Sequence, residues 1–278
     1  MILLEVLTSA TDYLAERGVE NSRLNAEHLL AYALSKRRLD LYLEFDRPLN
    51  EAELLPLREL VRQRGNRIPL QHLLGTAEFY GRQFLCDSRA LIPRPETEQL
   101  LELALAGLPS DQPVSVLDIG TGSGVIATTL ALELPQSSVD ATDLCSHALT
   151  LALENVTKHN VKDRIRLQQA DLFPSSGTPY QAIVANLPYI PSKDIEDLSP
   201  EVQHDPIQAL DGGPDGLELF RRFIASASHH LSPEGRIWLE IGYNQGEDLV
   251  TLLKQNRFSE VCLIKDYQNL PRFITAKK

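Results

Sequence analysis

At 278 residues the chain has room for one large domain and a smaller companion, at the usual span of roughly 100–200 residues per domain. Its 43% hydrophobic and 23% charged content excludes a disordered or fibrous chain. A formal net charge of -11 argues against a grip on bare nucleic acid, which Lys and Arg hold by its phosphates, and would favour a basic protein partner.

The N-terminus, Met1-Ile2-Leu3-Leu4-Glu5, has no basic stretch and meets Glu5 and Asp12 early, so no signal peptide is expected. No apolar run is long enough to span a bilayer, and a cytoplasmic protein is expected. Leu3, Leu4, Leu7 and Tyr13-Leu14 predict an amphipathic helix ending near Gly18. Leu24, Ala26, Leu29, Leu30 and Ala33-Leu34 predict a second, with Ser22 as its N-cap. Tyr42, Leu43 and Phe45 form a short element before Pro48, and Leu54-Leu55 to Val61 a third helix. Arg58, Arg62, Arg64 and Arg67 crowd its end, where cations complement the dipole. They read as a solvated face, or alternatively as a contact for an acidic partner. Residues 1–74 thus form a helical bundle with no chemistry of its own. Residues 75–92, with Phe79-Tyr80-Gly81 and Phe84-Leu85-Cys86, alternate like a hairpin linking it to a domain over 93–278. That domain opens on Leu91-Ile92-Pro93-Arg94-Pro95-Glu96-Thr97-Glu98. Pro95 and two carboxylates start a helix there.

A buried strand (Val114, Val116, Leu117, Ile119) follows, then the turn Gly120-Thr121-Gly122-Ser123-Gly124 and a helix over 125–134. Glycine lets backbone approach a ligand closely, and a helix N-terminus offers free N–H groups. The next strand, Val139 to Thr142, ends in Asp143, placed to accept from both hydroxyls of a ribose. A nucleoside-containing cofactor is expected. Gly122-Ser123-Gly124-Val125-Ile126-Ala127 fits the dinucleotide pattern, whereas Asp118-x-Gly120-x-Gly122-x-Gly124 resembles the first motif of S-adenosylmethionine methyltransferases. A carboxylate at Asp118 suits a cationic sulfonium better than a pyrophosphate, which favours the methyl donor.

Alternation continues with a helix (148–159), a strand (165–169) whose end brings Asp171 or Leu172 to an adenine, and a strand (180–185) delivering Asn186-Leu187-Pro188-Tyr189. The long Pro/Gly/Asp-rich loop to Gly216 reads as a substrate lid. A helix (217–231), a strand (236–241), a helix (245–255) and strands near 261–264 and 272–275 close the chain. The pattern predicts an α/β fold, a Rossmann-like, parallel-rich doubly wound sheet with ligands at its carboxyl edge. His229-His230 and the Asp194, Glu196, Asp197 cluster read as exposed. Cys86, Cys145 and Cys262 have no metal-ligand spacing, so no metal is expected and a reducing compartment is.

Asn-x-Pro-Tyr is where the chemistry gathers. An amide nitrogen or exocyclic amine is a poor nucleophile because its lone pair is delocalised. Accepting both N–H hydrogens aims the nitrogen at a methyl group and lets it rehybridise: Asn186 offers its side-chain carbonyl and Leu187 its backbone carbonyl. Pro188 stiffens the turn, and Tyr189 can lie flat on the planar group. Positioning and electrostatics carry the rate.

The octet at 91–98, the stretch 116–124, Asn186-Leu187-Pro188-Tyr189-Ile190 and Ala209-Leu210-Asp211-Gly212-Gly213-Pro214-Asp215-Gly216-Leu217 together resemble the HemK/PrmC-type release factor glutamine methyltransferases. The similarity runs over nearly the whole chain. It implies a class I S-adenosylmethionine methyltransferase fold with an N-terminal helical substrate-recognition domain. The implied reaction is N5-methylation of the glutamine in the Gly-Gly-Gln loop of peptide chain release factors, modulating translation termination and leaving S-adenosylhomocysteine. The implied cofactor positions are Gly120, Thr121, Gly122, Ser123, Gly124, Asp143, Leu172 and Asn186; those for the substrate amide are Asn186, Leu187, Pro188 and Tyr189. No direct nucleic acid contact is implied, and a monomer is expected. One departure is Leu187, where the family usually has proline. Asn-Leu-Pro-Tyr is also what rRNA adenine dimethyltransferases show, but they usually carry the helical domain last. An inactive cofactor-binding module is disfavoured by the intact Asn186 and Tyr189.

Overall fold

A computed structural model describes residues 1–175 and 178–278. They fall into two units, Met1–Thr76 with Ser199–His204, and Ala77–Leu198 with Asp205–Lys278.

The first unit contains α1 (Leu3–Glu16), α2 (Ser22–Ala33), a 3-10 turn (Arg38–Leu43), α3 (Glu51–Gly65) and α4 (Leu70–Leu74). Leu3, Leu7, Leu14, Leu29, Leu30 and Leu41 are buried together, as the helical spacing requires. The N-cap of α2 is Asn21, left-handed at φ 48°, and not Ser22; Asn is among the side chains that tolerate that region. α3 starts earlier than its leucines indicate because Asn50 and Glu53 form a capping box, the Asn50 side chain accepting from Glu53 N at 3.1 Å. At the basic end of α3, Arg58 and Arg62 are exposed, as on a solvated face, and pair with Glu51 and Glu59; Arg64 and Arg67 are not. Arg64 is buried, donating to Asn25 at 2.8 Å and to Glu201 at 2.8 Å. Arg67 forks onto both oxygens of Glu201 at 2.7 and 2.6 Å. Burial raises the Glu201 pKa, but the hydrogen bonds from Arg67 and Arg64 outweigh it and hold the carboxyl down to about 2.

The second unit opens on a hairpin, β1 (Thr76–Phe79) and β2 (Arg82–Leu85). Expected as a link, it instead shares this unit's core, because Phe79 and Phe84 pack edge to face and are buried with Leu100 and Leu130. Then follow α5 (Pro95–Ala106), β3 (Ser115–Ile119), α6 (Val125–Glu133), β4 (Ser138–Asp143), α7 (Ser146–Lys158), β5 (Ile165–Gln169) and β6 (Tyr180–Asn186). The chain closes with α8 (Glu218–His230), β7 (Leu231–Glu240), α9 (Gly246–Gln255), β8 (Ser259–Lys265) and β9 (Pro271–Lys277). β7 starts at Leu231, five residues before the strand expected from 236, because buried Leu231 already pairs with Tyr180; Pro233 and Gly235 conceal this in the sequence.

The strands form one sheet in the order β5-β4-β3-β6-β7-β9-β8. The first five are parallel, and β9 runs antiparallel to both its neighbours. Strand pleating sends alternate residues to opposite faces. Val116, Val184 and Trp238 meet Leu100 and Leu101 of α5 and Leu130 of α6. Leu117, Ile183 and Leu239 meet Phe220 and Phe223 of α8 and Leu249 of α9. From β3 the sheet grows outward in both directions, so the ends of β3 and β6 lie side by side where connections diverge. Ligands of doubly wound sheets bind at that switch point.

Candidate functional site

The glycine turn leaves β3 with left-handed backbone at Gly120, Gly122 and Gly124. Gly124 also meets α7: a Cβ there would lie 3.0 Å from Ala152 Cβ, so a side chain would push the helices apart. The turn's N–H groups, expected to be free, are largely committed. Gly120 and Thr121 donate to Thr142 O, each at 2.9 Å, and Gly124 donates to Thr121 O at 2.8 Å. Gly122 donates to Asp143 Oδ2 at 2.9 Å. Asp118 is fully buried and outside the cavity lining, so it does not face a sulfonium directly. Its Oδ2 braces the turn, accepting from Thr121 Oγ1 at 2.6 Å and Ala127 N at 3.1 Å. Burial pushes its pKa up to about 7.

These commitments bear on the cofactor. A pyrophosphate is held by unpaired N–H groups, and this turn has those of Gly120, Thr121, Gly122 and Gly124 paired within the protein. Asp143 accepts from Gly122 N and, at 2.8 Å, from Cys145 N. Burial raises its pKa while those backbone donors oppose the shift. Each oxygen keeps a further lone pair for a ribose hydroxyl. The residues therefore fit a nucleoside with a cationic or neutral tail better than a dinucleotide.

One cavity gathers most of the expected positions. Gly120, Thr121, Gly122 and Ser123 line it with Asp143 and Leu172, and Asn186, Leu187 and Pro188 join them from the end of β6. Gly124 and Tyr189 stand outside the lining. Asp171 and Leu172 both reach it, although the Asp171 carboxylate is also paired with Arg222. Leu172 is left-handed at φ 65°, and its carbonyl accepts from Thr142 Oγ1 at 2.7 Å.

Asn186 donates through Nδ2 to Thr97 Oγ1 at 3.0 Å, and Thr97 donates to Glu240 Oε2 at 2.7 Å. The Tyr189 hydroxyl lies 3.5 Å from Glu240 Oε1; burial and the Glu240 charge push its pKa up to about 12. Gln245 Nε2 holds the loop by donating to Tyr189 O at 2.9 Å and to Gly216 O at 3.1 Å. The segment 190–216, expected as a lid, is tied to the same loop by backbone. Ile190 N donates to Leu210 O at 3.0 Å and Gly212 N to Ile190 O at 2.8 Å. Pro206, Gln208 and Ala209 of that segment line the cavity. Buried Asp205 accepts from Ile92 N at 3.2 Å and pairs with Arg94. Thr97 and Glu240 were not marked as functional from sequence. The available signals were a hydroxyl inside the distinctive octet and a carboxylate closing an apolar strand, Ile237-Trp238-Leu239-Glu240. Among the described residues no cluster of His, Cys, Asp and Glu is arranged to hold a metal ion.

A five-strand parallel sheet closed by an antiparallel pair, with a glycine turn, an acid ending β4 and Asn-x-Pro-Tyr at one edge, defines a class I S-adenosylmethionine-dependent methyltransferase. The same fold is seen in a methyltransferase from Pyrococcus furiosus, with a TM-score of 0.53 and 18% identity over 72% of this chain and 90% of that one. Residues 5–75 match the PrmC N-terminal domain and residues 98–213 the methyltransferase small domain. Similar proteins include the release factor glutamine methyltransferase of Geobacter sulfurreducens, 41% identical over 98% of this chain and 95% of its own length. That of Bacillus subtilis is 37% identical over 99% and 97%. The chain belongs to the release factor glutamine methyltransferase family.

Proposed function

We propose that the protein transfers a methyl group from S-adenosylmethionine to the side-chain amide nitrogen (N5) of the glutamine in the Gly-Gly-Gln loop of peptide chain release factors, in the cytoplasm. The observation that carries this reading is Asn186. Its Nδ2 is committed to Thr97, while its Oδ1 has no protein donor among the described residues and the residue lines the cavity. An amide substrate needs an acceptor at that point. Asp143 holds the ribose, and Leu172, beyond the end of the next strand, flanks the base. S-adenosylmethionine supplies the electrophilic methyl group. Asn186 Oδ1 and Leu187 O accept the two hydrogens of the glutamine amide, turning its lone pair toward that methyl group. Bond formation to nitrogen breaks the methyl–sulfur bond and leaves S-adenosylhomocysteine, and the nitrogen, acidic after attack, gives its proton to solvent. The paired N–H groups of Gly120, Thr121, Gly122 and Gly124 favour S-adenosylmethionine over NAD. The helical unit carries substrate recognition.

Asn186→Ala removes one of the two acceptors. The expected outcome is a rate at least about tenfold lower, corresponding to about 1.4 kcal/mol or more of lost transition-state stabilisation, with S-adenosylmethionine affinity reduced far less. Single-turnover methylation of purified release factor measures the first and calorimetry the second. Near-wild-type turnover would mean that another group holds the amide.

A further inference from the structure

Asn186 and Glu240 end adjacent parallel strands and are register partners. Their neighbours Ala185 and Leu239 face α8 and α9, so by the pleat both side chains leave the opposite face, the one α5 covers. Thr97, in the first turn of α5, sits between them, accepting from Asn186 at 3.0 Å and donating to Glu240 at 2.7 Å. Glu240 is 1% exposed and forms no salt bridge among the described residues. An unpaired buried carboxylate is costly, and nothing in the packing of the sheet requires one here.

We propose that Glu240, acting through Thr97, fixes which end of the Asn186 amide faces the substrate. This rests on the reading of Asn186 as the substrate's acceptor. An ionised carboxylate can only accept, so the single Thr97 hydroxyl proton points to Glu240. Oγ1 then has only lone pairs for Asn186, which must present Nδ2 and turn Oδ1 toward the cavity. A protonated Glu240 can donate to Thr97 instead. The Thr97 proton is then released toward Asn186, whose amide can rotate by half a turn and meet the glutamine N–H₂ with a second donor. Two donors cannot pair. Thr97 and Glu240 are positioning residues, and the ionisation of Glu240 sets the direction of the chain.

The groups facing Glu240 are Thr97 and Glu96 from α5, Tyr189 from the loop after β6 and Arg272 from β9. Burial raises its pKa to about 7; Thr97, Arg272 and Tyr189 pull it down and Glu96 pushes it up. The ionised fraction therefore rises through neutrality, and with it the correctly turned fraction of Asn186.

Thr97→Val, Thr97→Ser, Glu240→Gln and Asn186→Ala are compared with wild type in full-length protein with purified release factor, across pH 6 to about 8.5. Thr97→Val is expected to lower kcat at least about tenfold, with S-adenosylmethionine affinity by calorimetry unchanged within about threefold. Thr97→Ser, which keeps the hydroxyl, recovers most of that loss. The wild-type rate has a rising limb near neutrality, and Glu240→Gln, which can accept but cannot ionise, is slower and lacks it. Wild-type kcat in Thr97→Val, serine as poor as valine, or the same limb in Glu240→Gln would each overturn the relay. If valine fails to fold, the serine and glutamine comparisons decide. An active Asn186→Ala rejects the acceptor reading itself, whereas an inactive one beside an active Thr97→Val rejects only the relay.

Discussion

Leu187 stands where the family usually has proline, and its side chain is buried against Ile119, Leu217 and Phe220 on the α8 side of the sheet. Its reading as an amide acceptor depends on its backbone carbonyl, which proline would retain, and Pro188 restricts its backbone in either case. Leu187→Pro is therefore expected to change glutamine methylation by no more than about tenfold. The lost packing, about one or two methyl groups' worth, should lower unfolding free energy by about 1–2 kcal/mol. Denaturant titration and a methylation assay read the two effects separately. Loss of all glutamine methylation would show that the leucine side chain shapes the substrate site. At this scale the motif residues were legible from the sequence because each lies at a strand end beside a turn. The Thr97–Glu240 pair was not, because its members are 143 residues apart and only strand register brings them together. The roles of Asp118 and the turn amides were misread for a similar reason: chain order does not reveal which N–H groups the turn itself consumes.

Among the elements, the Ala209-to-Leu217 stretch was recognisable as a motif without a visible purpose. Its glycines let it lie against the Asn186 loop. A Cβ on Gly212 would come within 2.8 Å of Pro188 O, and one on Gly216 within 2.4 Å of Tyr189 O and 2.6 Å of Gln245 Nε2. Gly216 is also left-handed at φ 75°, which costs a side chain about 1–2 kcal/mol. Gly216→Ala is expected to lose at least that much stability and to slow methylation as Tyr189 is displaced, while cofactor affinity stays close to wild type. Calorimetry with S-adenosylmethionine and a thermal melt check this; a fully active, fully stable alanine variant would contradict it. The sheet and its flanking helices were readable because short, nearly continuous apolar runs, such as Val116-Leu117 of β3 and Ala182-Ile183-Val184-Ala185 of β6, alternated with longer helical stretches. The hairpin's allegiance and the early start of β7 were hidden because both depend on what packs beneath them.

For the molecule as a whole, the sequence showed a helical part and a sheet part, but not that Ser199–His204 belongs with the helical unit. The link is Glu201 with Arg64 and Arg67, a pairing no local pattern announces. Because the Glu201 pKa is held down to about 2, its contribution to stability is full above the ordinary carboxylate range. It fades as pH falls toward 2, because the unfolded chain takes up the proton first. Glu201→Gln is therefore expected to melt below wild type at neutral pH, with the gap closing between about pH 4.5 and 2. A gap that stays constant over that range would show that the carboxylate's charge is not what Arg64 and Arg67 require. Among the described residues no helix is long and apolar enough to cross a membrane.

The most direct test of the account is to supply isotopically labelled S-adenosylmethionine to the purified protein together with either release factor or small ribosomal subunits, and to locate the label by mass spectrometry. The account predicts one labelled methyl group on the side-chain nitrogen of the glutamine in the Gly-Gly-Gln loop, absent with Asn186→Ala, and no label on ribosomal RNA. Label on RNA adenines with an unmodified release factor would contradict it.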